Sequence, residues 1–563
     1  MIDVLTSPGI WLIIAGLLMP ACPAVLRRLL ILTVPLAALF GIWALPDGAS
    51  VSGTWLGMEL IPVQADALSR LFATVFAFMA FAGGLFALNQ KNTIELSAAF
   101  LYAGSAIGVC FAGDLITVFI FWEIMAIGST TVVWMGGREA QGPGLRYAVI
   151  HFLGGVLFMS GIAGLIGHTG STAFTAENIA AAPTFAYWLI LASFLINAGA
   201  PPIAAWLPDA YPAASWSGTV FLSAFTTKTA VYTLIRGYPG EEVLIYAGIY
   251  MVLYGIVYAI LENDMRRILS FSICNQVGYM VCAVGIGTEL ALNGAAAHAF
   301  AHIIYKALLL MSAGSVLYMT GRSKCSDLGG LFRTMPVSCI CGIIGGLAIA
   351  GMPLTSGFVS KTMISSAAAD EHMFWVWIAL GVGSAGVFLH ATIKYPWFVF
   401  FQKDSGLRPK DPPWNMQAAM ILMAFLCIGM GIWYTPLHSI LPYAIEYPPY
   451  KTYKIVFYLQ LLGFSGLAFF LLLPWLKRTL TITLDIDWFW RRAGHVVARE
   501  FQLGWMKGWS AIADRWLDAS GRAIQKLYRE HGPTGTLART QPSGSMALWM
   551  AVLLVGFLVF AFV

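Results

Sequence analysis

Apolar segments long enough to cross a bilayer follow one another from one end of this chain to the other, and they constrain its fold more than any other feature. About 20 apolar residues in a helix span the hydrocarbon core of a membrane. Hydrophobic residues fill 59% of the 563 positions and charged residues only 10%. Backbone groups inside a bilayer must satisfy their hydrogen bonds internally, which makes helices the expected elements. The sequence therefore predicts an all-α polytopic protein in a lipid bilayer, with little room for a soluble catalytic domain.

Sixteen membrane spans result when the apolar runs are divided at polar loops. With the N-terminus placed outside, most loops that carry lysine or arginine fall on the cytoplasmic side, as the positive-inside rule requires. Moving the count by one span would remove that asymmetry. We therefore expect a multi-pass protein of the cell (inner) membrane with its N-terminus outside. The predicted spans lie near residues 9–24, 29–45, 65–88, 95–112, 115–135, 146–167, 185–206, 217–236, 243–261, 268–287, 290–319, 336–357, 373–400, 415–434, 452–475 and 546–562.

Proline interrupts two of these spans. The seventh contains Pro201-Pro202 and the twelfth contains Gly351-Met-Pro353. Proline removes an N–H donor and clashes with the preceding turn, so both spans are predicted to be broken helices whose free carbonyl groups face protein or water. Interruptions at matching places in two halves are typical of inverted-repeat transporters, and an odd repeat of five spans inverts the second copy. The alternative is that prolines are simply common in membrane helices.

The predicted organisation has six parts, of which the fifth is amphipathic. Apolar residues recur there at helical spacing, at Phe501, Trp505, Trp509, Ile512 and Trp516, as in a helix that lies on a membrane surface. This helix either anchors the chain to lipid or straps it to neighbouring subunits. The parts are N-terminal membrane helices (1–94), a first inverted repeat (95–236), a second inverted repeat (243–400), C-terminal membrane helices (415–475), a cytoplasmic amphipathic helix with its linker (477–545), and a last membrane helix (546–563).

A lone carboxylate, Glu123, lies in the middle of the fifth apolar span. A charge at the bilayer centre costs roughly 2.5–3.5 kcal/mol on insertion scales, so it is rarely kept without a partner or a proton-handling task. Lys228 lies midway along the eighth span, and Lys361 follows the interruption in the twelfth. Ionisable groups on several spans suggest a path for charge. Lys361 has the alternative of reaching the interface, and Lys394, near the cytoplasmic end of its span, is interpreted as a snorkelling residue.

Three further polar residues stand one turn apart on the eleventh span. His298, His302 and Lys306 occupy positions i, i+4 and i+8, which aligns them on one helix face. Such a row can relay a proton through water, and the alternatives are structural polar packing or a zinc site. The segment between the histidines, Ala299-Phe-Ala301, lacks the glutamate of an HExxH motif, and no third ligand is visible. We therefore expect no metal at this row.

The sequence contains no motif for redox or nucleotide chemistry. Its eight cysteines are scattered without a CxxC pair, and neither a GxGxxG turn nor a P-loop occurs in the right context. We expect no cofactor, no disulfide framework, no catalytic residue and no nucleic-acid partner. A membrane-embedded enzyme that acts on lipid or quinone remains an alternative without a supporting motif.

Five motifs, in their order along the chain, resemble the antiporter-like membrane subunits of respiratory complex I and especially the D subunit of Mrp-type cation/proton antiporters. The resemblance runs from about the third span to the thirteenth. It implies a core of about fourteen helices with two inverted five-helix repeats, working with other membrane subunits inside a larger complex. The motifs are Asp114-Leu-Ile-Thr-Val-Phe-Ile-Phe-Trp-Glu123, Trp206-Leu-Pro-Asp-Ala-Tyr-Pro212, Asp264-Met-Arg-Arg-Ile-Leu-Ser-Phe-Ser272, His302-Ile-Ile-Tyr-Lys306 and Gly351-Met-Pro353 through Lys361.

The resemblance also implies a proton path through buried charged residues. In the family a glutamate on the fifth helix pairs with a lysine on the broken seventh helix, and Glu123 matches that glutamate. Lysines on the eighth, eleventh and twelfth helices and histidines on the eleventh continue the path. The matching residues here are Lys228, His298, His302, Lys306 and Lys361.

This chain departs from the family at the lysine of the seventh helix, where it has Asn197. Asparagine can hydrogen-bond a carboxylate, but it can neither neutralise the carboxylate nor exchange a proton with it. Our hypothesis is that Glu123 is protonated for more of the time than in its relatives, or finds a replacement cation in Lys228 or in an adjacent subunit. His151, on the sixth span, is another candidate partner.

Two functions follow from this resemblance. The first is a proton-translocating subunit of an Mrp-type antiporter or a complex I-like respiratory assembly, which exchanges protons for sodium or potassium or moves protons alone. The second is a transport-inactive membrane scaffold of such a complex, with Asn197 as the sign of lost pumping. The energy source is open between an ion gradient and electron transfer in partner subunits. With electron transfer as the source, the chain is a membrane subunit of a redox-driven translocase like NADH:quinone oxidoreductase, without catalytic chemistry of its own.

Overall fold

Helices form nearly all of the structure, a computed structural model that describes residues 7–55, 57–444, 446–475, 485, 487–532, 535 and 543–562. The chain divides into two units, Met1–Asp485 and Ile486–Val563. The predicted cytoplasmic linker falls partly outside the described residues, at 477–484, 486, 533–534 and 536–542.

The first unit begins with membrane helices and a small β-hairpin. Its elements up to the middle of the chain are α1 (Pro8–Leu18), α2 (Ala24–Ala44), β1 (Ser50–Trp55), β2 (Met58–Gln64), α3 (Ala67–Phe86), α4 (Thr93–Phe111), α5 (Leu115–Trp134), α6 (Gln141–Thr169), α7 (Ala176–Ala180), α8 (Thr184–Ala198), α9 (Trp206–Ala210), α10 (Gly218–Leu222) and α11 (Thr226–Gly237).

The remaining elements include a helix that continues into π-helical turns. They are α12 (Val243–Leu261), α13 (Met265–Ile286), α14 (Glu289–Thr320), α15 (Pro336–Ala350), α16 (Ser356–Asp370), α17 (Phe374–Val387) with π-helical turns at Phe388–Lys394 and Trp397–Phe401, α18 (Trp414–Ile432), α19 (Thr435–His438), α20 (Thr452–Leu471), α21 (Asp487–His531) and α22 (Ser543–Phe562). Short 3₁₀ turns lie at Met19–Ala21, Ala87–Asn89, Arg138–Ala140, Cys325–Asp327 and Leu331–Arg333.

Apolar helices lie at the predicted positions of all the spans except the eighth, at 217–236, which is broken into two helices. Twelve of the described helices are long and apolar enough to cross a membrane, and three shorter apolar helices lie at Pro8–Ala21, Thr184–Ala198 and Pro336–Ala350. The most apolar stretch of α13 is completely buried and that of α14 is 89% buried, whereas α2 and α20 are mostly exposed. The α13–α14 pair therefore forms the centre of the first unit, and polar groups within these buried stretches are removed from both lipid and bulk water.

The two predicted helix breaks are confirmed, and they have the same cap. α8 ends at Ala198 and α15 ends at Ala350, each followed by a glycine in the left-handed region, with φ of +76° at Gly199 and +84° at Gly351. At each break the glycine N–H donates to the carbonyl three residues back and the next N–H donates to the carbonyl five residues back. Glycine is favoured here because it has no Cβ to clash in this conformation. The division into two inverted repeats stays a prediction.

Three features differ from the all-helical prediction. The predicted eighth span is interrupted between α10 and α11 at residues 223–225, although it contains no proline. Strands β1 and β2 form an antiparallel hairpin around Gly57, whose φ is +77°. The thirteenth span widens into π-helical turns from Phe388 onward. None of these features needs a long apolar run or a proline, which are the signals that the prediction used.

The second unit consists of α21 and α22. α21 is a 45-residue helix in which the predicted aromatic residues Trp505, Trp509 and Trp516 are exposed, as expected for a surface helix. α22 coincides with the predicted last span.

Candidate functional site

The polar row on α14 lies at the centre of the first unit. His298, His302 and Lys306 are all fully buried. The Nδ1 of His298 lies 2.8 Å from Ser360 Oγ, and its Nε2 lies 3.2 Å from the Oε1 of Gln276. Both nitrogens of this ring are therefore held by neutral partners on α16 and α13.

His302 is held differently from its neighbour. Among the described residues neither of its ring nitrogens has a hydrogen-bond partner. Its ring centroid lies 6.4 Å from that of His298 and 5.3 Å from that of Tyr305. No group of three His, Cys, Asp or Glu residues that could hold a metal occurs in the described part of the chain. The pair thus lacks the additional ligand that a zinc site needs, and an imidazole with two open nitrogens suits proton transfer through water.

Lys228 faces the row from α11. Its Nζ donates to the carbonyl of Ser223 at 2.5 Å and to the hydroxyl of Thr227 at 2.9 Å. The Ser223 carbonyl belongs to the break between α10 and α11, where the helical ladder is interrupted, so the lysine satisfies a group that the break leaves free. Lys228 also lies within electrostatic range of His302 and Lys306.

The other two lysines of the row are held by serine hydroxyls. Lys306 donates to Ser272 Oγ at 2.7 Å, and Lys361 lies 3.5 Å from Ser384 Oγ and 4.7 Å from the centre of the Tyr279 ring. Lys361 is fully buried, so the alternative that it reaches the interface is wrong. The break before α16 places Lys361 at the centre of the bundle rather than near its surface.

None of these three lysines is ion-paired to a carboxylate within the described ranges, where the five recorded salt bridges all involve arginine. Their partners are hydroxyl groups, carbonyl groups and an aromatic face. A hydroxyl can accept from an ammonium group and can donate to a neutral amine. The environment therefore accommodates both the charged and the neutral form of each lysine. A buried carboxylate partner would instead favour the charged form.

Glu123 lies apart from this row on α5. It is half-buried, and its Oε1 is buried without a hydrogen-bond partner among the described residues. The carboxylate fits against Gly155 of α6, where an added Cβ would lie 1.9 Å from Oε1. No ion pair joins Glu123 to Lys228 or to another described cation of this chain.

His151 and Asn197 contact each other rather than Glu123. The Nδ1 of His151 lies 2.6 Å from the Oδ1 of Asn197, and both side chains are buried. The imidazole is also packed against Tyr147 and Trp206, with ring centroids 4.0 Å and 4.6 Å away. Asn197, in the place of the family's lysine, thus fixes a histidine beside the first helix break.

Lys394 does not snorkel. It is 7% exposed, and its Nζ donates to the carbonyls of Ala259, Ile260 and Glu262 at 3.3, 2.5 and 2.5 Å. These carbonyls are at the carboxyl end of α12, where backbone acceptors have no helical partner and the helix dipole favours a cation. The snorkelling interpretation is wrong because a neighbouring helix end captures the ammonium group.

Two buried polar residues were not among the predicted site residues. Lys454, near the start of the predicted span at 452–475, is 6% exposed and donates to the hydroxyl of Tyr447 at 2.6 Å. His390 is fully buried, and neither of its ring nitrogens has a partner in the described part of the chain. A signal for His390 was available, because it is a histidine inside an apolar span, four residues before Lys394.

Comparisons with known proteins agree with this architecture. The family described as NADH:quinone oxidoreductase/Mrp antiporter, TM, matches residues 112–387. The D subunit of the Na(+)/H(+) antiporter of Alkalihalophilus pseudofirmus is 31% identical over 366 residues, which cover 60% of this chain and 73% of the relative. The N subunit of the NADH-quinone oxidoreductase of Desulforudis audaxviator is 30% identical over 410 residues, which cover 67% of this chain and 81% of the relative.

Solved structures share the fold at lower identity. A chain in the structure of the Mrp complex from Dietzia sp. aligns with 83% of this chain and 99% of its own length, with a TM-score of 0.68 and 20% identity. A chain of the membrane-bound sulfane sulfur reductase, an archaeal respiratory membrane complex, aligns with 99% of this chain and 100% of its own length, with a TM-score of 0.72 and 21% identity. By its relatives and its fold, the chain belongs to the NADH:quinone oxidoreductase/Mrp antiporter family of membrane proteins.

Proposed function

We propose that this chain is a proton-translocating membrane protein of the Mrp D-subunit type, which takes part in cation/proton antiport within an assembly of several membrane subunits. The observation that carries the proposal is the row of fully buried lysines and histidines at the centre of the bundle, held by neutral partners. Buried charges of this kind mark ion and proton pathways in membrane proteins. The names of the relatives, the D subunit of a sodium/proton antiporter and the N subunit of a quinone oxidoreductase, support the same class.

In this proposal protons move between side chains and water along the central row. Glu123 lies at one end, as the group that admits a proton from the face of α5, and Lys361 lies at the other. The exchanged cation is sodium or potassium, and the cytoplasmic side is the end at which α12 ends and α13 begins. The relay residues are Glu123, Lys228, His302, His298, Lys306 and Lys361.

Lys306→Met in the assembled complex tests the proposal. Inverted membrane vesicles carrying the complex are energised, and dissipation of the pH gradient is followed with a fluorescent dye when sodium or potassium is added. We expect the rate of proton movement to fall at least tenfold. Lys451→Met, which removes an exposed lysine, is the control and should keep the original rate. Unchanged transport in Lys306→Met, with normal assembly, would overturn the proposal.

A transport-inactive scaffold is the second candidate function. It is favoured by the His151–Asn197 hydrogen bond and by the lack of an ion pair to Glu123 in the described residues, since both differ from the pairing that the family resemblance implies. Glu123→Gln and Lys228→Met, made separately, distinguish the two functions. Normal assembly and unchanged vesicle transport in both variants would support the scaffold, whereas a loss of transport in either would support the relay.

A further inference from the structure

The π-helical continuation of α17 carries a buried histidine and a buried lysine that the central row does not include. His390 and Lys394 are 0% and 7% exposed and lie on one π-helical turn, four residues apart. Residues four or five apart are neighbours along a helix with i→i+5 hydrogen bonds, and such π turns are frequent at functional sites. The match to the family ends at residue 387, immediately before this turn.

His390 lies at the depth of Lys306. α14 and α17 cross the bundle in the same direction, because a single broken span, α15 with α16, separates them. The hydroxyl of Tyr395 and the Oγ of Ser312 are 2.8 Å apart, which fixes the register of the two helices. His390 is five residues before Tyr395 and Lys306 is six residues before Ser312, so both lie roughly 8 Å further along the bundle.

The charges around His390 come from three helices. Lys306 on α14, Lys361 on α16 and Lys394 on its own helix all lie within its electrostatic range. The carbonyl of Gly386, one turn back, lies near the ring but does not meet hydrogen-bond geometry with either nitrogen. His390 therefore lies within range of two lysines of the central row and of Lys394, and neither of its ring nitrogens is held by a partner among the described residues.

Lys394 connects this histidine to one end of the bundle. Its Nζ lies on the last carbonyls of α12, and its side chain lines a small cavity of about 140 Å³ together with Ile260, Leu389 and Leu472. The surface of this cavity is apolar throughout, so Lys394 lines it with its methylene groups while its ammonium group lies on the carbonyls of α12. The Glu262 carboxylate follows directly on the α12 end and pairs with Arg267 at 3.0 Å.

We propose that His390 and Lys394 form a branch of the proton path, which leads from Lys306 and Lys361 to the end of the bundle at the carboxyl terminus of α12. The inference rests on the proposed function, since it adds a route to the same relay. One ring nitrogen of neutral His390 accepts a proton from the Lys306 ammonium group through water, and the other nitrogen releases a proton to the neutral amine of Lys394. The net result is the transfer of one proton, which leaves Lys306 neutral, Lys394 as the ammonium group that caps α12, and the imidazole in its other tautomer. Before the next transfer Lys306 takes a proton from the central row, Lys394 releases its proton at the end of the bundle, and His390 returns to its first tautomer by exchanging protons with water.

His390→Gln and Lys394→Arg test the branch in the assembled complex. Glutamine keeps polarity and size without titrating, and arginine keeps the donors that cap α12 but does not release a proton in proteins. We expect each variant to lower the vesicle proton-transport rate at least fivefold while the melting temperature and the recovery of partner subunits stay unchanged. His438→Gln, at a half-buried histidine outside the row, is the matched control and should transport normally.

Lys394→Met separates the two tasks of this lysine. It removes both the cap and the titrating group, so we expect lower thermal stability as well as slow transport. If Lys394 only capped α12, Lys394→Arg would transport normally, and that result overturns the branch. Normal transport in His390→Gln overturns it as well. In both cases a defective Lys306→Met leaves the proposed function standing, whereas normal transport in Lys306→Met overturns the proposed function itself.

Discussion

At the scale of single residues, the position of Glu123 depends on a glycine on the next helix. The Cβ of an alanine at position 155 would lie 1.9 Å from Glu123 Oε1, whereas the nearest atom to a Cβ at position 154 would be the Asn197 amide nitrogen, at 3.3 Å. The carboxylate is the mobile end of a side chain, so we expect Gly155→Ala to displace it at little cost in stability. Proton transport in vesicles should fall severalfold in Gly155→Ala and stay near the original rate in Gly154→Ala.

Equal transport in the two alanine variants would show that the contact between the Glu123 carboxylate and Gly155 of α6 has no part in transport. Both proteins should first be compared by melting temperature, so that a folding defect is recognised as such.

The candidate residues on the central row could be predicted because each is a charge or an imidazole inside an apolar run. Their partners could not. His151 and Asn197 are 46 residues apart in the chain, and Lys394 is 132 residues from the Glu262 carbonyl to which it donates. Such pairs depend on how the helices pack, which no local pattern specifies. His390 carried the same signal as His298 but matched none of the motifs on which the resemblance rested.

At the scale of elements, the two broken helices depend on glycine caps, and one cap also contacts the row. Alanine at Gly351 or at Gly321, where φ is +69°, would be strained by about 1–2 kcal/mol in the left-handed region. At Gly351 the added Cβ would lie 3.3 Å from Lys361 Cδ and 3.2 Å from the Tyr458 ring, whereas at Gly321 it meets nothing within 4 Å.

We therefore expect Gly351→Ala and Gly321→Ala to lower the melting temperature of the purified complex to a similar extent. Only Gly351→Ala should also slow proton transport. If Gly321→Ala slowed transport equally, the effect would belong to helix stability and not to the contact with Lys361.

The start of α3 offers a second prediction at this scale. Asp66 accepts from the Ser69 N–H at 2.8 Å in a capping box, and its other carboxylate oxygen pairs with Arg236 of α11 at 2.7 Å. Asp66→Ala removes the cap, worth about 1 kcal/mol, and a partly exposed ion pair worth less than about 1 kcal/mol. Asp66→Asn keeps a capping oxygen. Differential scanning fluorimetry should rank melting temperatures in the order original, Asn, Ala, and equal values for the two variants would assign the effect to the charge.

The breaks at the prolines were predictable because a proline inside an apolar run can be read in the sequence and is known to interrupt a helix. The break between α10 and α11 has no such proline. There the ammonium group of Lys228 donates to the carbonyl of Ser223, which has no helical partner. The interruption therefore depends on a side chain of the following helical turn. The hairpin at residues 50–64 and the π turns after Val387 are likewise outcomes of packing rather than of hydrophobic period.

At the scale of the whole molecule, the hydrophobic core of buried residues lies entirely before residue 470 among the residues that the structure describes. We expect a chain that ends at Asp485 to fold as the complete chain does, since it keeps that core. Size-exclusion chromatography in detergent should give a single symmetric peak with a melting temperature within a few degrees of the original. Aggregation of the shortened protein would show that the second unit is needed for folding.

The positions of most spans could be predicted from hydropathy alone, because lipid requires about 20 apolar residues for each crossing. The exposure of each span could not. α13 and α14 are no more apolar than α2, and yet they are buried while α2 is exposed. Burial in a membrane protein follows from small and polar residues that pack against other helices, and such residues lower the mean hydropathy.

The ammonium group of Lys394 is balanced by peptide carbonyls at a helix end and not by an acidic side chain. A carboxylate counter-ion can be lost through one codon change, but the carbonyls of residues 259, 260 and 262 remain whatever amino acids stand there. Mutation can therefore change the donor of this site, the lysine side chain, but not its backbone acceptors. Sequence drift can remove the lysine, and it cannot remove the acceptor that the lysine binds.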